Sequence, residues 1–275
     1  MKEKPCAFVA GDKTIIYPAI ICLACVSKYN DFDLYIFTEK SFVTEEHLKV
    51  SNKYGIKIVD LSEINNDNII THFSGSSNWS VCSYYNYLAP QYLYDLGYEF
   101  ALKLDYDILC MKKYLLTDML PKDKEILACC YNGPLKNYGS PDAFEKIQAA
   151  LKMDINVDQY AYVHTGVIGI NLQAYQENHI LDTLISIDDK LCNIWPSTQV
   201  TPLREQLALS LVQPFINCNF KSLPPMYAFR PVGYGLCSAE VYNIHLLWLK
   251  NPSCIILLHK YFIPEFDRSK VYPGI

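Results

Sequence analysis

The chain has 275 residues, of which 51% are hydrophobic and 19% charged. That is enough for one large domain or two small ones and leaves no disordered bulk. A formal net charge of −5 without a basic stripe argues against a nucleic-acid binder. The 11 cysteines are odd in number and irregularly spaced, which fits buried thiols in a reducing compartment better than a disulfide framework. Cys22 and Cys25 make a CxxC, but it lies in an apolar helical run and no second pair stands at ligand spacing. MKEKPCAFVAGD lacks the apolar core of a signal peptide, and no stretch reaches the roughly 18 apolar residues that span a bilayer. A cytoplasmic protein is expected, with the aromatic C-terminal region compatible with a peripheral membrane contact.

In chain order, 6-CAFVAG-11 reads as a buried strand closed by a Gly-Asp turn. Residues 17–28 read as a helix with Pro18 near its start, where the missing N–H is tolerated. A second strand follows at 33-DLYIFTE-39, then a helix in 44-TEEHLKVSNKYG-55 with a Thr cap and a Gly stop. A third strand is 56-IKIVDL-61. This β-α-β-α-β order implies a parallel sheet covered by helices.

The polar segment 63–80 reads as a loop. Over 81–96, Val81, Tyr85, Leu88, Tyr92 and Leu96 share one helical face, with Pro90 expected to kink or split the helix. Further strands are expected at 101–110, 126–131 and 162–172, and a Gly/Pro-rich loop at 132–142. Helices are expected over 173–191 and 203–213, followed by a short-element, Pro- and Tyr-rich remainder.

The stretch 101-ALKLDYDILC-110 carries the chemistry. Read as one continuous strand, it points Asp105 and Asp107 to the same side and Tyr106 to the other. It should lie near the carboxyl end of a parallel strand, the sheet edge where ligands bind. Two adjacent carboxylates repel, and a divalent cation resolves that repulsion; carboxylate oxygens suit Mg²⁺ or Mn²⁺. The bland alternative is a pair of exposed turn residues. A haloacid-dehalogenase-type phosphatase also uses D-x-D, but after its first strand, whereas here three strands precede it.

The run 84-YYNYLAPQYLYDLGYEFALKLDYDIL-109 resembles nucleotide-sugar glycosyltransferases of the GT-A fold, closest to family 8, which have a helix with Arg-x-x-x-Pro and then a strand ending in Leu-Asp-x-Asp. Three later stretches are similar to family blocks in the same order: 164-HTGVIGINL-172, 205-EQLALSLV-212 and 244-IHLLWLKNP-252. The resemblance implies an α/β, Rossmann-like, mostly parallel sheet with helices on both faces. It also implies one GT-A domain, with a nucleotide-binding half over about residues 1–110 and an acceptor-binding half over about residues 111–275.

Further implications of the resemblance are a UDP-sugar donor, a carbohydrate or glycoconjugate acceptor, and retention of configuration. Asp105, Asp107 and His245 would ligate Mn²⁺ or Mg²⁺, Asp105 also touching the ribose. Val9, Ala10, Gly11 and Asp12 would line the uridine pocket. Asn86, Lys103, Tyr106 and Lys250 would border the donor, Lys250 at its diphosphate. Gln206, with Glu205 beside it, would stand near the reacting carbon. An inverting enzyme would instead need a carboxylate base, Glu205 or Asp142.

Departures from the family pattern mark open points. Asn86 stands where the family often has Arg or Lys, and His164-Thr165 where it favours Asn or a small residue. The late block lacks a Gly and is shorter before Lys250, which leaves His259 as a rival third ligand. Arg230, in 227-YAFRPVGYG-235, is a candidate phosphate or acceptor contact. The alternative to an enzyme is a nucleotide-sugar-binding module without transfer activity.

Overall fold

The computed structural model describes residues 2, 4–64, 84–122, 125–194, 204–227 and 242–245; for 62, 63, 192, 193, 204, 244 and 245 it describes the backbone alone. The strands are β1 (Cys6–Ala10), β2 (Asp33–Thr38), β3 (Ile56–Asp60), β4 (Phe100–Leu104), β5 (Ile108–Cys110), β6 (Leu127–Pro134), β7 (Ala161–Asn171), β8 (Lys221–Leu223) and β9 (Asn243–His245). The main helices are α1 (Ile16–Tyr29), α2 (Glu45–Lys53), α3 (Tyr85–Asp95), α4 (Pro141–Leu151), α5 (Leu172–Glu177), α6 (Ile180–Ile194) and α7 (Arg204–Phe215).

Seven strands form one sheet in the order β3-β2-β1-β4-β7-β6-β8, in which β7 alone runs against the rest. β5 and β9 make a separate antiparallel pair. The strand period of two explains the layering. Cys6, Phe8 and Ala10 of β1 face a core shared with α3, α4, α5, α6 and α7, while Ala7 and Val9 face a core built on α1. Helices therefore cover both faces. Helix α1 buries Ile16 and every residue from Pro18 to Val26, as an apolar helix must when it is enclosed. Each fully buried Ile or Leu there contributes roughly 1.5–3 kcal/mol.

Local chemistry sets the element ends. The Thr44 hydroxyl accepts from His47 N at 3.2 Å, and His47 Nδ1 accepts from Thr44 N at 3.1 Å, a capping box with His in the usual Glu position. Gly55, at φ 66, turns the chain out of α2 into β3. Gly169 on β7 is required by a close approach: a Cβ there would lie 1.8 Å from the Met119 carbonyl oxygen.

Several expectations are corrected. The strand of the acidic motif stops at Leu104; Asp105, Tyr106 and Asp107 form a turn, and Ile108 starts β5 in the other sheet. The alternation argument for the two carboxylates thus does not apply, although they still sit together on one tight turn. β6 runs on to Pro134 through two register shifts, so the expected 132–142 loop shrinks to a short turn before α4. The 173–191 helix is two helices, α5 and α6, with His179 at φ 49 between them. Pro90 does not split α3, which is continuous over Tyr85–Asp95. Residues 65–83, which carry most of the expected polar loop and Val81, lie outside the described residues. Among the described residues no helix is long and apolar enough to cross a membrane.

Candidate active site

The carboxyl end of β4 is where the candidate residues gather. β1 pairs with β4 through Phe8↔Lys103, so Val9 and Ala10 lead to the same edge as Leu104 and Asp105. Val9 and Ala10 are buried. Gly11 N donates to Phe37 O at 3.0 Å, tying the end of β1 to β2. The half-buried Asp12 closes the turn: its Oδ1 accepts from Thr14 N at 2.9 Å and from the Thr14 hydroxyl at 2.6 Å.

The acidic turn is anchored through its backbone. Asp105 N donates to Gly166 O at 2.8 Å, and Ile108 N donates to Asp105 O at 3.1 Å. Tyr106 is exposed and Asp107 half-buried. The Lys103 ammonium, on a side chain that is almost fully buried, donates to Asp105 Oδ1 and, at 2.6 Å, to the Thr165 carbonyl. Burying an ammonium is unfavourable unless it is paired and hydrogen-bonded, and both conditions are met here. The charge of Asp105 is therefore offset within the chain by Lys103, a pairing the sequence reading did not draw.

Helix α7 brings Glu205 and Gln206 to this edge in its first turn. The Tyr87 hydroxyl of α3 donates to Glu205 Oε1 at 3.1 Å. Burial pushes the Glu205 carboxyl up, and Asp105 adds to this; the Lys103 cation and hydrogen bonds from Tyr87 and Thr165 oppose it. Burial first, and then the Glu205 charge, hold the Tyr87 hydroxyl in its protonated, donating form. Gln206 is buried beside Glu205, and Asn86 is buried next to Tyr87 on α3. His164 is enclosed, its Nδ1 accepting from Gly166 N at 3.2 Å.

The β5–β9 ladder supplies the remaining approach. Ile108 pairs with His245, so the His245 backbone lies across from the residue that follows Asp107. β9 is pinned by Asn243, which is fully buried: its Oδ1 accepts from the Tyr114 hydroxyl at 2.6 Å and its Nδ2 donates to Tyr227 O at 2.8 Å. Nothing in the sequence pattern singled out Asn243 or Tyr87, because their partners are distant in the chain, and Thr165 stood out only as a departure from the family pattern. Lys103 entered only through the family resemblance, as a residue bordering the donor. Asp142 is exposed in the first turn of α4. Lys250, His259 and Arg230 lie outside the described residues.

Among the described residues, no three His, Cys, Asp or Glu side chains gather as a metal cluster. The donor set nevertheless fits a hard divalent cation. Two carboxylates share one turn, and the ladder carries a histidine backbone to the next position. Carboxylate oxygens suit Mg²⁺ or Mn²⁺.

The sequence profile described as glycosyl transferase family 8 matches residues 6–251. No curated protein matches the chain. Among solved structures, the galactosyltransferase LgtC, in complex with donor and acceptor sugar analogues, is similar with a TM-score of 0.66 and 14% identity, over 97% of this chain and 99% of that one. The bifunctional glycosyltransferase WbbM gives a TM-score of 0.65 and 13% identity, over 100% of this chain and 52% of that one. Mouse xyloside xylosyltransferase 1 gives 0.59 and 12% identity, over 89% of this chain and 98% of that one.

Proposed function

The chain belongs to glycosyl transferase family 8, and we propose that it moves a sugar from a UDP-sugar to a hydroxyl of a carbohydrate or glycoconjugate acceptor, with retention of configuration and with Mn²⁺ or Mg²⁺. The observation that carries this reading is the Asp105–Asp107 turn at the carboxyl end of β4, which pairs with β1 before the turn and is followed by β5, the partner of the His245 strand. The GT-A fold is common to this chain and LgtC, which was crystallised with donor and acceptor sugar analogues. Another LgtC structure carries a glutamine-to-glutamate change in its active site.

In this reading Asp105, Asp107 and His245 hold the metal, and Asp105 also meets the ribose. When bound, the metal stabilises negative charge developing on the diphosphate. The chain's own residues do the rest. Val9, Ala10, Gly11 and Asp12 border the uridine at the end of β1. Asn86, Lys103 and Tyr106 border the donor, and Lys250 meets its diphosphate. Gln206 faces the reacting carbon, and its neutral amide oxygen steadies positive charge there without competing as a strong nucleophile. Glu205, fixed by Tyr87 and Thr165, stands beside it. The bond from the anomeric carbon to the diphosphate breaks with its electron pair going to phosphate. The acceptor oxygen bonds to that carbon from the same face, and its proton passes to the departing phosphate.

We take 1–275 as one GT-A domain with the nucleotide half first, and place the protein in the cytoplasm. In support of the latter, the seven cysteines whose side chains are described, Cys6, Cys22, Cys25, Cys110, Cys129, Cys130 and Cys218, form no disulfide. The test is incubation of the purified protein with a panel of nucleotide sugars and glycoside acceptors, followed by NMR of the product. UDP release with a product of retained configuration is expected. An inverted product overturns retention, and turnover of only non-uridine donors overturns the UDP assignment.

A further inference from the structure

Lys103 is the one charged residue of β4, among Phe100, Ala101, Leu102 and Leu104, and its side chain is almost wholly enclosed. A lysine in such a place would be expected to let its ammonium reach water along its flexible stem. Here the stem runs along the strand instead, and the ammonium ends between Asp105 Oδ1 and the Thr165 carbonyl, at the edge where the acidic turn begins. Glu205 also feels this cation. One fixed positive charge is thus built into a site with three carboxyl groups, Asp105, Asp107 and Glu205.

This has a consequence for any divalent cation on the turn. Asp105 Oδ1 is committed to the ammonium. A metal sharing Asp105 must accept a carboxylate whose charge is partly offset, with a second cation nearby, and like charges repel. A diphosphate reverses the balance, because it brings negative charge that both cations attract.

We propose that Lys103 is a positioning residue that holds the Asp105 carboxylate and spends part of its charge, so that the acidic turn binds a divalent cation weakly alone and tightly only together with the donor diphosphate. The inference rests on the metal-dependent reading above and deepens it. Metal and donor enter as a coupled pair, and the coupling is set by a residue of β4 rather than by the metal ligands alone. By linkage, the factor by which UDP tightens the metal equals the factor by which the metal tightens UDP.

The test is calorimetric titration of the whole protein with Mn²⁺ alone, with Mn²⁺ at saturating UDP, and with UDP in Mn²⁺ and in EDTA. In the wild type, UDP is expected to tighten Mn²⁺ by about tenfold or more. Lys103→Met removes the charge at similar length. It should strengthen binding of Mn²⁺ alone by about tenfold and shrink the UDP-dependent factor by about as much. Should that variant fail to fold, Lys103→Gln keeps a donor for the Thr165 carbonyl, loses only the charge, and is expected to give the same ratio. A merely structural Lys103 would lower the melting temperature and leave the ratio unchanged; that result overturns the role of Lys103 alone. Wild-type UDP binding of equal strength in Mn²⁺ and EDTA overturns the metal reading as well.

Discussion

Replacing Asn243 by Leu tests how β9 is held against the acidic turn. The Asn243 amide is fully buried, accepts from the Tyr114 hydroxyl at 2.6 Å and donates to Tyr227 O at 2.8 Å. Leucine is close in size, so packing changes little and the polar loss dominates. It strands one buried hydroxyl and one buried carbonyl, each costing about 1–3 kcal/mol. The Tyr114 hydroxyl also interacts with Cys110, which relieves part of its share, so about 2–4 kcal/mol is expected.

That loss falls on a three-residue strand. β9 is held by its ladder to β5 and by flanking bonds of the Tyr242 backbone to Met111 at 2.8 Å and Met226 at 3.0 Å. Detachment of β9 should therefore precede global unfolding, and the melting temperature should fall by only a few degrees. If β9 presents His245 to the metal, Mn²⁺ affinity in the presence of UDP should drop about 30-fold or more, since 1.4 kcal/mol is tenfold. Calorimetry in saturating UDP reads this. A variant with lowered stability but Mn²⁺ affinity within about threefold of wild type would refute the link between β9 and the metal.

Two further outcomes follow from the packing and the charges. Gly169→Ala forces a Cβ to 1.8 Å from the Met119 carbonyl oxygen, a rigid backbone contact. A cost of about 3 kcal/mol and a melting temperature lower by roughly 6–12 °C are expected by thermal denaturation, and an unchanged value would refute the close approach. For Glu205, the carboxyl is pushed up in the folded protein, so the folded state binds its proton more tightly than the unfolded state does. The stability linked to that proton is full below the ordinary glutamate pKa and is lost as pH rises through the folded value. Denaturant titrations across pH should show the wild type losing stability relative to Glu205→Gln as pH rises over that window; parallel curves would count against a raised Glu205.

The opening β-α-β-α-β order was legible because its signals are local. β1 is a fully buried apolar run, Thr44 and Gly55 bracket α2, and both act within a few residues of themselves. Strand direction was not legible at β7, since 164-HTGVIGINL-172 is apolar on both faces whichever way it runs. The acidic motif was misread as one strand for a related reason. The apolar residues after it, Ile108 to Cys110, are buried in a different sheet, and burial alone does not say which. The candidate site drew notice where carboxylates broke an apolar pattern, at Asp105 and Asp107. It was hidden where the partner is distant in sequence, as for Tyr87 with Glu205 or Asn243 with Tyr114. The candidates His245 and Gln206, and the order of the late blocks, came from the family resemblance and not from spacing.

The most direct test of a metal-dependent UDP-sugar site on the Asp105–Asp107 turn is calorimetric titration of UDP into wild type and Asp107→Asn, each in Mn²⁺ and in EDTA. The account predicts UDP binding in the wild type with Mn²⁺, its loss in EDTA, and its loss in Asp107→Asn even with Mn²⁺. Equal UDP affinity under all four conditions would contradict it.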